Sequence, residues 1–260
     1  MHSKLKPFII PLLRRHIVTT KNLLTLALIP RPRPRQFTMS HNIKITQEPI
    51  ITSVTDLPTS EAKWVSLQKV SYTDQVGTPR TWEVAVRKTR SAKAGVDAVA
   101  MGNILLHPDP SRPPSTMVVI QYRPPLDAYT VEWPAGLIDA DETPEAAAVR
   151  EFKEETGYDC KVLSVSPVQA ADPGMSNANM QLVMVEVHLP ADTNDNKELL
   201  PEQRVEDGEH IERVIIPLAE LHDRLVEYSK KERMIVAAKL FHFAAGMQFA
   251  RTQTYGIYKD

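Results

Sequence analysis

Apolar and polar residues alternate through WVSLQKVSYTD, beginning at Trp64, and again through RTWEVAVRKT, beginning at Arg80, with Gly77 between them. A period of two on both sides of a glycine predicts a β-hairpin with long strands. Further strands are predicted in VDAVAMGNILL from Val96, MVVIQYR from Met117, YTVEW from Tyr129, VLSVSPV from Val162 and QLVMVEVHL from Gln181. The prolines of HPDPSRPPS, from His107, forbid a strand and mark an exposed loop. A polar, acidic stretch over 190–208 is long enough for a functional loop. After it the pattern predicts a short strand, HIERVII, and two helices over about 218–229 and 231–247. No internal repeat is present.

Composition narrows the class. With 42% hydrophobic and 24% charged residues among 260, the chain has ordinary globular make-up. Its apolar runs fall short of the ~20 residues that cross a bilayer, so no membrane insertion is expected. The single cysteine, Cys160, excludes an intramolecular disulfide framework and a cysteine-built zinc site, and suits a reducing compartment.

Charge is unevenly spread. Residues 1–40 carry eight Lys and Arg and no acid, which leaves 23 basic against 32 acidic residues in the remainder. That acidic body is a poor host for nucleic acid. An Arg-rich, acid-free leader over 1–45 has the make-up of a mitochondrial transit peptide, with Arg35-Gln36-Phe37 before Thr38 as a cleavage point. Pro7 and Pro11 interrupt the amphipathic helix such a peptide needs, and Met39 offers a start that omits the leader. The expectation is mitochondrial protein if the leader is used, otherwise cytoplasmic or nuclear.

The chemistry lies in GLIDADETPEAAAVREFKEETGY, from Gly136 to Tyr158. Thr143 suits a helix N-cap, Pro144 the first helical position and Gly157 a left-handed end. Ala148, Val149 and Phe152 are expected on one face against a sheet, with Glu151, Glu154 and Glu155 on an adjacent, exposed face. Like charges at i, i+3 and i+4 oppose a helix, by a few tenths of a kcal/mol per pair. A hard divalent cation would offset this, because Mg²⁺ takes carboxylate oxygens and is often shared with substrate phosphates. A solvated acidic face is the simpler alternative, but the Gly136 turn, the capped helix and Arg150 beside the acids form a unit whose carboxylates converge.

The stretch resembles the Nudix box: Gly136, five residues, Glu142, seven residues, Arg150-Glu151, Phe152, one residue, Glu154-Glu155, one residue, Gly157. Only Tyr158, where an aliphatic residue is more usual, departs from it mildly. The resemblance implies hydrolysis of a diphosphate joined to another moiety, with Mg²⁺ or Mn²⁺ and water. It extends from about Trp64 to the last helix and is closest to the eukaryotic ADP-ribose pyrophosphatase, or ADP-sugar diphosphatase, branch. KWVSL, RTWE, YRPP, EWPAGLID and DPGMSN carry it, with Pro173 sixteen positions after Gly157.

That branch implies an α/β fold, the Nudix α/β/α sandwich with a mixed sheet over 96–260, preceded by a small antiparallel β-domain over 50–95. It implies a homodimer in which the β-domain is exchanged and the adenine pocket draws on both subunits. Trp64 and Trp82 would sandwich adenine, RTWE lying in register with KWV, and Glu83 would accept its amine; Trp82 in a core is the competing reading. Arg87 and Arg123 would grip the diphosphate and terminal ribose, since guanidinium holds phosphate oxygens bidentately. Leu137 and Asp172 complete the implied substrate contacts.

Mg²⁺ would be held by Glu151, Glu155, the Ala135 carbonyl and Glu209, the last being either ligand or general base. Glu154 competes with it as base, while Arg150 and Glu142 orient the carboxylates. The implied products from ADP-ribose are AMP and ribose 5-phosphate. Two alternatives stand beside this reading: a Nudix hydrolase of another nucleoside diphosphate derivative, and a binding module without catalysis.

Overall fold

Eleven strands and three α-helices make up the computed structural model, which describes residues 47–90, 95–190 and 200–252. The leader expected over 1–45 lies outside the described residues. Strands β1 (Val65–Thr73) and β2 (Pro79–Arg87) form an antiparallel two-stranded sheet. Its turn is built by Asp74, whose Oδ1 accepts from the Val76 and Thr78 amides at 3.1 and 2.8 Å while Oδ2 accepts from Arg80 Nε at 3.0 Å. Gly77 there has φ +80°, a conformation only glycine adopts without strain. Two strands alone bury no core, and both are largely exposed.

The remaining strands are β3 (Ala98–Leu106), β4 (Ser115–Arg123), β5 (Ala128–Glu132), β6 (Ala135–Leu137), β7 (Lys161–Val165), β8 (Gln169–Ala170), β9 (Asn179–His188), β10 (Glu212–Pro217) and β11 (Met234–Val236). They form one mixed sheet in the order β11-β5-β4-β3-β9-β7, with β10 on β4, β6 on β3 and β8 on β9. The β3–β9 and β11–β5 pairs are parallel, the others antiparallel.

Burial on both sheet faces explains the near-continuous apolar runs of β3 and β4. On one face α1 (Pro144–Thr156) packs Ala147, Ala148 and Phe152 onto Val99, Met101, Met117, Val183 and Val185. On the other, α2 (Leu221–Ser229) and α3 (Ala238–Thr252) bring Leu225, Leu240 and Ala244 onto Val118, Ile120 and Val131. Met117 and Val118 face opposite layers, as the strand period demands. The result is an α/β/α sandwich with a separate small antiparallel sheet before it.

Thr143 caps α1 by accepting from the Ala146 amide at 3.3 Å, and Gly157 closes it at φ +80°. Three expectations fail. Val149 is 40% exposed and Ala147 takes its place inside, because the buried stripe runs 147, 148, 152, 155, 156 and passes Val149 by. Glu155 is only 5% exposed, so it is not on an exposed face. The last helix begins at Ala238 rather than 231: Arg233 has φ +53°, and the next three residues extend the sheet beside β5. The short β6, β8 and β11 are not legible in the sequence, since two or three residues carry no periodicity.

Candidate active site

Arg150 organises the carboxylates of α1. Its Nε and one terminal nitrogen grip Glu142 at 2.7 and 2.8 Å, and the same terminal nitrogen donates to the Leu137 carbonyl at 3.1 Å. The other terminal nitrogen reaches Glu151 Oε1 at 2.8 Å and Glu154 Oε2 at 3.2 Å. One guanidinium thereby spreads across three acids and fixes the preceding loop to the helix. These bonds raise the Arg150 pKa, Glu142 first among the causes, and hold Glu142 below the ordinary carboxylate value.

Gly136 sits opposite Glu151. A Cβ there would overlap Glu151 Cδ, Oε1 and Cγ, so only glycine leaves room for that carboxylate. Beside it the Ala135 amide donates to Glu155 Oε2 at 3.1 Å. Burial pushes the Glu155 carboxyl up to about 8, with Glu151 and Glu209 adding to the rise and the Ala135 amide opposing it. Glu151 is raised as well, by burial first, while Arg150 pulls the other way and Glu154 and Glu209 push further.

The half-buried Glu209, in the loop before β10, lies within electrostatic reach of Glu151, Glu155 and Arg123, which the chain separates by more than fifty residues. Its carboxylate accepts from the Glu206 amide at 3.1 Å.

Cations flank the acids. Arg123 ends β4 in an extended backbone and forks onto Glu132 at 2.8 and 3.1 Å. Burial would raise Glu132, yet Arg123 and Thr130 hold it below its ordinary value, with Lys239 assisting. Lys239, at the start of α3, is lowered by burial and further by Arg87, the exposed last residue of β2. Arg123 and Lys239 therefore flank Glu132, with Arg87 within electrostatic reach of Lys239. Sequence reasoning missed Glu132 and Lys239; Glu132 stood beside Trp133 in EWPAGLID, but nothing local marks one lysine in a helix.

The two tryptophans of the hairpin segment are exposed. Trp82 is 52% and Trp64 68% exposed, which removes the reading of Trp82 as a core residue. Trp82 Nε1 donates to the Gly174 carbonyl at 3.1 Å, and Ala85 pairs with the same loop through Met175 and Asn177. Asp172 begins that loop, its carbonyl accepting from the Ser176 amide at 2.9 Å. Glu83 is exposed opposite Lys69. RTWE is not in register with KWV: Trp82 faces Val70, while Trp64 accepts from the Lys88 amide at 2.9 Å. The tight turn at 74–78 sets that register and leaves the two tryptophans roughly 20 Å apart along the strand at 3.3 Å per residue.

All candidate donors are oxygens, the chemistry of a hard cation. Among the described residues no three His, Cys, Asp or Glu side chains converge closely enough to cage a metal. Glu155 and Glu151 nevertheless fit one: both carry raised proton affinity from burial and from neighbouring negative charge, an excess that a cation relieves. None of the described helices is long and apolar enough to cross a membrane.

A two-faced mixed sheet, a capped carboxylate helix and a glycine turn seated on its Glu151 define one kind of domain. The family model described as the NUDIX domain matches residues 99–237, and the chain belongs to that family. It is 39% identical over 193 residues to an ADP-ribose pyrophosphatase of Saccharomyces cerevisiae, covering 74% of this chain and 80% of that one. Identity is 35% over 201 residues to a mouse ADP-sugar pyrophosphatase, covering 76% and 88%. An uncharacterized Nudix hydrolase of Schizosaccharomyces pombe is 38% identical over 201 residues, covering 77% and 94%.

Proposed function

We propose that this chain hydrolyses the diphosphate of ADP-ribose, and of related ADP-sugars, to AMP and the sugar phosphate, with Mg²⁺ or in its place Mn²⁺. The observation that carries the reading is the acid cluster of α1: Arg150 bonded to Glu142, Glu151 and Glu154, Glu151 seated against the Gly136 turn and Glu155 buried on the Ala135 amide, with Glu209 and Arg123 within electrostatic reach. The names of the yeast and mouse relatives support the substrate class.

Held by Glu151, Glu155 and the Ala135 carbonyl, a divalent cation would lower the pKa of a bound water and neutralise charge on the leaving phosphate. Arg150 holds Glu142, Glu151 and Glu154 in place, so the acids need not reorganise during reaction. Arg123 and Arg87 bind the diphosphate, Arg123 once it shares its fork with Glu132. A water oxygen attacks one phosphorus, its proton passes to Glu209, and the bridging P–O bond breaks with its electron pair on the leaving phosphate. Glu209 suits the base better than Glu154, because Glu154 is tied to Arg150 while Glu209 lies within electrostatic reach of Glu151 and Glu155.

Trp82 and Trp64 stack adenine and Glu83 accepts its amine, while Leu137 and Asp172 line the substrate path. With the two indoles of one chain so far apart, a base is sandwiched only if one indole comes from a second copy, which supports a homodimer with exchanged hairpins. Assay of purified protein with Mg²⁺ against ADP-ribose, other ADP-sugars, oxidised nucleoside diphosphates and dinucleotides, scored for AMP release, tests the proposal. Preference for a substrate without an ADP moiety would overturn it. The leader supports mitochondrial import with a cytosolic pool begun at Met39. N-terminal sequencing of both fractions tests this, and an intact Met1 in each would refute it.

A further inference from the structure

A helix ends with carbonyls that have no partner in its own ladder. In α1 those of Glu154, Glu155 and Thr156 are all taken by β10 and the segment that leads into it. The Arg204 amide donates to Glu154 O at 2.8 Å. Gln203 Nε2 donates to Glu155 O at 2.6 Å and to Ile211 O at 3.2 Å. The buried Arg213 donates to Thr156 O at 2.5 Å and to Pro201 O at 2.6 Å. Gly157 lies directly beneath: a Cβ there would meet Glu202 O at 2.7 Å and Pro201 O at 2.8 Å, backbone that has no room to yield.

Between these fastenings the chain turns back on itself. The Glu206 amide donates to Glu209 Oε2 and the Glu209 amide to Glu206 O, both at 3.1 Å, with Gly208 at φ +86°. Such a turn is closed within itself, so only its two arms set where Glu209 stands relative to α1. Gln203 joins three things at once: the outgoing arm, the returning arm at Ile211, and the helix at the residue whose side chain is the buried Glu155.

We propose that Gln203 is a positioning residue for Glu209, holding the loop on the last turn of the carboxylate helix so that Glu209 keeps its place relative to Glu151 and Glu155. The proposal rests on the reading of Glu209 as part of the reacting centre. Both of its acceptors are carbonyls, so the role requires a donor at 203 and not merely a side chain of that size.

The test compares Gln203→Glu, which keeps the shape and loses the donor, with Gln203→Lys, which keeps a donor. In Gln203→Glu, amide hydrogen exchange over 204–211 should quicken about tenfold, the equilibrium worth of one or two hydrogen bonds. Its kcat for ADP-ribose with Mg²⁺ should fall about 10–100-fold, KM moving little, as for other groups that orient a ligand. Gln203→Lys should recover most of both. The double variant Gln203→Glu with Glu209→Gln should be no slower than Glu209→Gln alone. Wild-type exchange in Gln203→Glu, or losses that multiply in the double variant, would overturn the proposal. Should the wild-type protein release no AMP from ADP-ribose, the functional reading falls, while the exchange measurement still decides the tether.

Discussion

Replacing Glu155 by Gln removes one charge from a site that is 5% exposed and changes its shape hardly at all. The carboxyl titrates near 4.5 in an unfolded chain and at about 8 in the folded one, driven first by burial. An acid raised in this way stabilises the fold fully below pH 4.5 and loses that contribution as pH climbs toward about 8. At 1.36 kcal/mol per pH unit the loss approaches about 5 kcal/mol by pH 8, an upper bound, and about 3 kcal/mol at pH 7.

Without metal, then, Glu155→Gln should be more stable than wild type at pH 8 by a few kcal/mol and should lose the advantage toward pH 4.5. Urea unfolding of both proteins in EDTA across that range measures it. With Mg²⁺ at a hundred times its Kd, wild type should regain about 2.7 kcal/mol. The variant should regain less and hydrolyse ADP-ribose far more slowly. A stability difference independent of pH would refute the buried-charge argument, and equal Mg²⁺ stabilisation of the two proteins would refute Glu155 as a ligand.

Gly136→Ala should abolish most hydrolysis with an unchanged circular dichroism spectrum, because the new methyl displaces the Glu151 side chain rather than backbone. Trp82→Ala should raise KM for ADP-ribose about 5- to 150-fold, the equivalent of the 1–3 kcal/mol of base stacking, while kcat changes little. An unfolded variant would refute that, since the half-exposed indole gives up only its bond to Gly174. Asp97→Asn should destabilise by about 1.5–3 kcal/mol at pH 7 in thermal melts, because it breaks the Arg90 fork at 2.8 and 2.7 Å. Burial alone would raise Asp97, but Arg90 and the Asn179 amide hold it below 3.8; its stabilisation is therefore present above that pH and lost below it, where the variant and wild type should converge.

Local chemistry carries far along this chain. Thr143, Pro144 and Gly157 placed α1 because capping, proline and left-handed glycine act within a few residues, and the alternation of β1 and β2 located the hairpin by the same token. The spacing of Gly136, Glu142, Arg150 and the three glutamates likewise pointed to the family whose model matches the chain.

What the sequence by itself could not settle was depth and register. Whether Glu155 or Val149 faces inward depends on where α1 lies against β3 and β9, and that angle is decided by the whole core. The register that separates Trp64 from Trp82 follows from one tight turn, and the strand at Met234–Val236 exists only because β5 offers an edge to it. The approach of Lys239 to Glu132, and of Glu209 to Glu155, joins residues far apart in the chain. A period of two or 3.6 reports only neighbours, whereas the energy of a buried charge depends on everything packed around it, so those encounters belong to the tertiary structure alone.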